Sequence, residues 1–256
     1  MVFHKEQKAI GLIIILIISI IATVIVVASA VIFLGNWLPS EVVGSGELVT
    51  QQEDFIDFSS IDISSGFEIE ISKSSSYSLS ITTDDNIIEY IQVSKTDNTL
   101  KVRTQAGITY ESITLQIEIE MPELDHIELS GGSKGTIKDF ISSNVFSVDL
   151  FGGCQLEGSF TTTENITFEL FGGSQLNEFV GEANDAIIEL SQGSQIDLSE
   201  FVVNNSNVNL RGGSQATINL NGRLDANLIG GSALEYIGDP TLGDIEVSDG
   251  STVNPK

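Results

Sequence analysis

The sequence predicts an all-β protein, a β-solenoid of about 20-residue coils preceded by one N-terminal transmembrane helix, and three observations carry that expectation. An uncharged apolar run fills residues 9–34, stretches of two-residue hydrophobic alternation follow it, and a Gly-Ser pair, once Gly-Cys, then recurs at near-constant spacing. Alternation marks half-buried strands. A short repeat at fixed spacing marks coils that bury their apolar faces only by stacking on one another.

From Ala9 to Leu34 there is no charged residue. A helix of that length, rising ~1.5 Å per residue, reaches about 39 Å, enough to cross a ~30 Å hydrocarbon layer with tilt. His4, Lys5 and Lys8 precede the run and Glu41 and Glu47 follow it. The positive-inside bias therefore makes residues 1–8 a cytoplasmic tail and places everything after Trp37 outside, giving a single-pass cell-membrane protein with an extracytoplasmic C-terminal domain. Ala28-Ser29-Ala30 mimics a signal cleavage site, but Val31-Ile32-Phe33-Leu34 extends the apolar run well past the ~7–15 residues of a signal core, which favours a retained anchor.

Residues 35–46, with Pro39 and Gly44-Ser45-Gly46, read as a short flexible linker. Residues 47–121 form a β-rich lead-in, alternating at Phe67, Ile69, Ile71; Leu79, Ile81; Leu100, Val102; and Ile113, Leu115, Ile117, Ile119. Asn86–Ile91 has a mixed period and fits a helical turn or an irregular strand equally. Whether the lead-in continues the solenoid or forms a separate small sheet is left open by its pattern.

Residues 122–254 hold the repeat. Its pairs are Gly132-Ser133, Gly153-Cys154, Gly173-Ser174, Gly193-Ser194, Gly213-Ser214, Gly231-Ser232 and Gly250-Ser251, at spacings of 21, 20, 20, 20, 18 and 19. Such a period suits one β-solenoid coil better than a propeller blade of about 40 residues. Each unit reads apolar-x-apolar-x-Gly-x-Ser-x-apolar, as in Phe168, Leu170, Gly172, Ser174, Leu176, so strand alternation turns the Ser inward with the aliphatics. Cys154 then occupies a buried small-residue slot. As the sole cysteine it excludes an intramolecular disulfide.

Outward positions should form rows with like residues ~4.8 Å apart from coil to coil. Gln155, Gln175, Gln195 and Gln215 make one, a stacked amide row or a carbohydrate-contact surface. Glu128, Asp149, Glu169 and Glu189, continued by Asn209 and Asn227, make another. Carboxylates that close repel by roughly 1 kcal/mol in water, so they are either splayed and screened or bridged by a cation, and Asp149, Glu169 and Glu189 are the residues a Ca²⁺ row would use. A third row stacks Phe151 on Phe171 before Ser191 and Arg211, a candidate interaction patch.

The alternating lead-in, Pro122-Glu123-Leu124, the serial Gly-Ser turns and the closing Tyr236-Ile237-Gly238-Asp239-Pro240 together resemble the putative auto-transporter adhesin head GIN domain family over roughly residues 50–254. That resemblance implies a right-handed parallel β-helix exposed at a cell surface. It carries over no ligand and no catalytic residue.

Lys and Arg number 11 against 36 Asp and Glu, a net charge of −25, which excludes a nucleic-acid partner. His4 and His126 are the only histidines, leaving almost no material for a Ser-His-Asp or His-metal site. The Gly-Gly-Ser turns lack the Gly-Lys-Ser/Thr ending and following helix of a phosphate loop. Asn165-Ile166-Thr167 and Asn204-Asn205-Ser206 are N-glycosylation sequons. The reading is a non-enzymatic surface protein needing no cofactor other than the Ca²⁺ just weighed, with a glycan or envelope component as partner. A glycan-active lyase or hydrolase and a membrane-tethered sensor are the alternatives.

Overall fold

The computed structural model describes residues 40–256 and the isolated Ile25. The cytoplasmic tail, the rest of the apolar run 9–34 and the first part of the linker lie outside the described residues. Among the described residues no helix is long and apolar enough to cross a membrane.

The chain divides into two units, residues 1–42 with 106–111, and residues 43–105 with 112–256. The first contributes a two-stranded sheet, Ser40–Val43 with Ile108–Glu111. The second is a β-solenoid, with strands gathered in a ten-stranded and an eleven-stranded sheet and a single 3-10 turn, Ile88–Tyr90, in the stretch of mixed period.

Each coil places one strand in each sheet and turns between them at a Gly-Ser corner. His126–Ser130, Phe146–Phe151, Ile166–Phe171, Asp185–Ser191, Asn205–Arg211, Arg223–Ile229 and Thr241–Val247 follow one another in parallel on the first sheet. Their partners beyond the corners, from Lys134–Ser142 to Thr252–Pro255, stack likewise on the second. Register is set by the aliphatic rows. Leu129, Leu150, Leu170, Leu190, Leu210 and Leu228 are mutual neighbours from coil to coil, all at most 2% exposed. A slip of one residue would turn this whole row to solvent, and burying each Leu contributes about 1.5–3 kcal/mol.

The lead-in belongs to the same stack, in an order its sequence does not follow. Ser60–Ile63 pairs in parallel with His126–Ser130 on one side and with Thr99–Thr104 on the other. Glu68–Lys73 is held the same way between Lys134–Ser142 and Leu115–Met121. The first coil in sequence is therefore the second in space. Beyond it the end is closed by antiparallel strands: Ile91–Thr96 on Thr99–Thr104, and Ser78–Asp84 on Leu115–Met121, with Leu48–Glu53 outermost. Strands that reverse direction bring the parallel stack to an end and limit edge pairing.

The linker expected to be flexible is tied down at its far end. Asp84, 1% exposed, accepts the Gly46 N–H at 2.7 Å and the Thr114 N–H at 2.8 Å. Ser45 bonds Asp85 and Asn86, and the Asn86 amide donates to the Val43 carbonyl. These bonds draw the Asp84 carboxyl below its ordinary range, Thr114 contributing most and Gly46 next. The Gly-Ser-Gly triplet lets backbone N–H groups approach a buried carboxylate; a Cβ on Gly44 would lie 2.5 Å from the Ser112 carbonyl.

Past the corner the second strand shifts register through a bulge in three of the pairings, Lys134–Ser142 with Gln155–Thr162, Gln155–Thr162 with Gln175–Glu182, and Gln195–Val203 with Gln215–Leu220. Gly181 sits at φ 139°, where an added Cβ would lie 1.9 Å from the Phe160 carbonyl oxygen. The bend is filled by aromatics: the Phe146 and Phe160 rings stack at 3.9 Å, and Phe179 leans on Phe201 at 5.4 Å.

Candidate functional site

The corner residues are structural. Ser133, Cys154, Ser174, Ser194 and Ser214 have no exposed surface and Ser232 has 1%. Each turns its hydroxyl or thiol back on the carbonyl three residues earlier: Ser133 to Ser130 at 2.8 Å, Cys154 to Phe151 at 3.2 Å, Ser174 to Phe171 at 2.9 Å, Ser194 to Ser191 at 2.9 Å, Ser214 to Arg211 at 2.8 Å and Ser232 to Ile229 at 3.1 Å. The same oxygens reach across coils, Ser174 Oγ accepting the Cys154 N–H and Ser133 Oγ the Gly66 N–H, both at 3.2 Å. A polar atom is thereby buried with its hydrogen bonds made, and one oxygen closes a corner while joining two coils. Gly132, Gly153, Gly173, Gly193, Gly213 and Gly231 carry the left-handed backbone before each of these residues. Burial raises the Cys154 thiol above its usual range, which the backbone bonds only oppose, so it is kept unreactive.

On the outer face of the eleven-stranded sheet, Gln155, Gln175, Gln195 and Gln215 are successive register partners. The row extends through Lys134 and Glu68 to Gln116. Two residues along the strands runs a parallel row, Glu118, Glu70, Thr136 and Glu157, then Asp197, Thr217 and Glu235 after a bulge. Between the rows lies a trough of about 440 Å³ from Gln116 to Asn177, and a further one of about 260 Å³ from Asn177 to Glu235. The glutamines do not form a hydrogen-bonded ladder with one another: the one side-chain bond to the row among the described residues is Asn177 Nδ2 to Gln175 Oε1 at 3.4 Å. Their amides are consequently open to a ligand.

The bonded amide ladder lies elsewhere. Asn144 Nδ2 donates to Asp125 Oδ1, Asn184 Nδ2 to Asn165 Oδ1 and Asn204 Nδ2 to Asn184 Oδ1, at 3.0–3.1 Å. Both sequon asparagines, Asn165 and Asn204, are exposed members of it. The signal that could have found this row is the 21, 19 and 20-residue spacing of Asn144, Asn165, Asn184 and Asn204, displaced from the Gly-Ser corners by about half a coil.

On the ten-stranded sheet, Glu128, Asp149, Glu169 and Glu189 are register neighbours, and Asp62 precedes them, capped by Lys101 at 2.6 Å. Desolvation, then Asp62 and Asp149, raise the Glu128 carboxyl; desolvation raises Asp149 against the pull of His126; desolvation, then Asp149 and Glu189, raise Glu169. Among the described residues no group of three or more His, Cys, Asp or Glu is arranged to hold a metal ion. Phe151 pairs with Phe171, Phe171 with Ser191, and Phe171 is 42% exposed.

A parallel stack with polar rows exposed in register along its outer faces defines a repeat-built β-solenoid. The chain belongs to the putative auto-transporter adhesin, head GIN domain family, whose model matches residues 57–240. A crystal structure of a putative adhesin from Bacteroides fragilis is similar at a TM-score of 0.75 and 21% identity, covering 84% of this chain and 100% of that one. A putative lipid binding protein from Parabacteroides distasonis gives 0.68 at 17% identity, covering 85% and 100%, and a putative adhesin from Parabacteroides merdae gives 0.65 at 19%, covering 85% and 99%. At these identities the likeness is one of fold. No curated protein matches the chain.

Proposed function

We propose that the chain is an adhesin-like surface protein without catalytic activity, held at the cell membrane by its N-terminal apolar helix, and that the trough on the eleven-stranded sheet binds an extended glycan. The observation that carries this reading is the row Gln155, Gln175, Gln195 and Gln215, free of bonds among its own amides and stepping ~4.8 Å per coil, beside a second row in which Glu118, Glu70, Glu157, Asp197 and Glu235 are interspersed with Thr136 and Thr217. The step is close to the length of one hexopyranose unit. Amides and hydroxyls donate and accept and carboxylates accept, so successive sugars of a chain laid along the axis meet polar side chains on both sides at each step. The family membership and the acidic, cation-poor exterior support surface display.

Glu118, Glu70 and Glu157 stand on one wall of the trough and Glu68 on the other, with Lys138 holding Glu70 at 2.6 Å, so release of cleaved product is the readout that decides between binding and turnover.

The test is a glycan array with the full-length chain in detergent, run with and without Ca²⁺, alongside Gln155→Ala and Gln195→Ala. Polymer binding that each substitution weakens several-fold is expected. Release of cleaved product assigns an enzyme, loss of binding on Ca²⁺ removal assigns a cation-bridged surface, and no retention of any glycan refutes the reading.

A further inference from the structure

The ten-stranded sheet carries a concavity of about 260 Å³ whose chemistry differs from the trough's. Its floor and rim are Glu169, Glu189 and Asn209 on one row and Phe171, Ser191 and Arg211 on the next. Phe171 is 42% exposed and has Phe151 as its register neighbour. Glu169 and Glu189 have no cationic partner within ion-pair distance among the described residues, and Arg211 makes only a 3.3 Å bond from Nε to Asn209 Oδ1. The site thus holds an apolar wall, two acceptor-only carboxylates and an unpaired guanidinium within three successive coils.

We infer that this concavity is a second carbohydrate site, taking a single neutral hexopyranose with one C–H face on Phe171 and its hydroxyl edge across Glu169, Glu189 and Arg211. Each alternative ligand class leaves part of the site unsatisfied. An anion would pair with Arg211 but face two carboxylates within a chain of net charge −25. A lone amine would pair with the carboxylates and leave the guanidinium idle. An apolar group would cover Phe171 and strip water from both charge types. Adjacent hydroxyls are each donor and acceptor, so a vicinal diol gives to a carboxylate and receives from the guanidinium, while the ring's apolar face covers the aromatic. The concavity has room for one sugar, not a chain.

This site stands apart from the trough, and its test separates them. Saturation-transfer-difference NMR on the full-length chain with methyl hexopyranosides, neutral, N-acetylated and uronic, should show a neutral glycoside binding with a Kd of about 1 mM, as expected for a ligand of that size. Phe171→Ala, at an exposed position, should weaken it at least about tenfold, and Glu189→Gln a few-fold, with polymer binding in the trough unchanged. Gln195→Ala should leave the monosaccharide signal intact. Absence of signal from every neutral glycoside, a preference for the uronic form, or a signal that survives Phe171→Ala but not Gln195→Ala overturns the assignment. Retained melting temperature in each variant separates lost binding from lost folding.

Discussion

The stacked carboxylates of the ten-stranded sheet should be a liability for stability, and replacing Asp149, Glu169 and Glu189 by their amides measures it. Glu128, Asp149, Glu169 and Glu189 neighbour one another in register, so successive charges lie roughly 5 Å apart. Two unit charges at that separation in water repel by about 0.8 kcal/mol, and the triple substitution abolishes three such contacts, about 2.5 kcal/mol in all. A Debye length of ~8 Å at ~0.15 M salt roughly halves that. The variant should therefore be more stable by about 1–2 kcal/mol in urea melts at physiological salt, raising Tm by roughly 3–6 °C, with the gap shrinking towards 1 M salt. The pH dependence has a definite sign. Glu128, Asp149 and Glu169 have folded pKa values raised above their unfolded ones, so the fold binds their protons more tightly. Their penalty is complete above the raised values and lifts as pH falls through them towards the ordinary carboxylate range. Moderate acidification from neutrality should stabilise the native protein more than the variant. A variant less stable than its parent, or a difference indifferent to salt, would refute repulsion as the governing term.

Four further outcomes follow from the packing. Gly181→Ala drives a methyl into the Phe160 carbonyl at a backbone angle L residues rarely adopt, so urea melts should show a loss of at least about 3 kcal/mol. Asp84→Ala strands the N–H groups of Thr114 and Gly46 and should cost about 2–4 kcal/mol; because the folded pKa is depressed, that carboxylate's contribution exists above the unfolded value and disappears as pH falls through the folded one, leaving parent and variant closer at strongly acid pH. Ser206 Oγ is buried without a hydrogen-bond partner, so Ser206→Ala should be neutral or stabilising by up to about 1 kcal/mol in calorimetry, whereas Ser174→Ala, which breaks a corner and a coil-to-coil bond, should cost about 1–3 kcal/mol.

The coils from residue 126 onward are legible because corner and aliphatic residues recur together: a Gly-Ser pair fixes where the chain turns, and alternation around it fixes which side faces in. The acid, amide and aromatic rows follow by counting, and pairing such as Glu169 with Glu189 places them in the same columns. What alternation cannot express is which strand lies beside which. Ile69 and Ile71 announce a half-buried strand, yet nothing local says that its neighbours are Leu115–Met121 and Lys134–Ser142. The bulge glycines were equally silent, since Gly158 and Gly181 are required by the approach of a carbonyl from the preceding coil rather than by a turn of their own. Gly44-Ser45-Gly46 is ambiguous for a related reason: a composition suited to flexibility also suits close wrapping of a carboxylate. The second row of the trough escapes the sequence pattern because Glu70, Thr136 and Glu157 share a column without sharing a residue type.

The out-of-order coil bears on how the solenoid yields to force. Peeling a ladder whose strands are stacked in chain order breaks one seam at a time, like a zip. Here Ser60–Ile63 and Glu68–Lys73 are seamed on both edges by strands that come later in the chain. A pull arriving from the N-terminal side can strip Leu48–Glu53, but it must then shear two seams at once, whereas the far end releases coil by coil. Any load carried in from the front of the domain therefore meets its mechanically hardest point as soon as Leu48–Glu53 has gone.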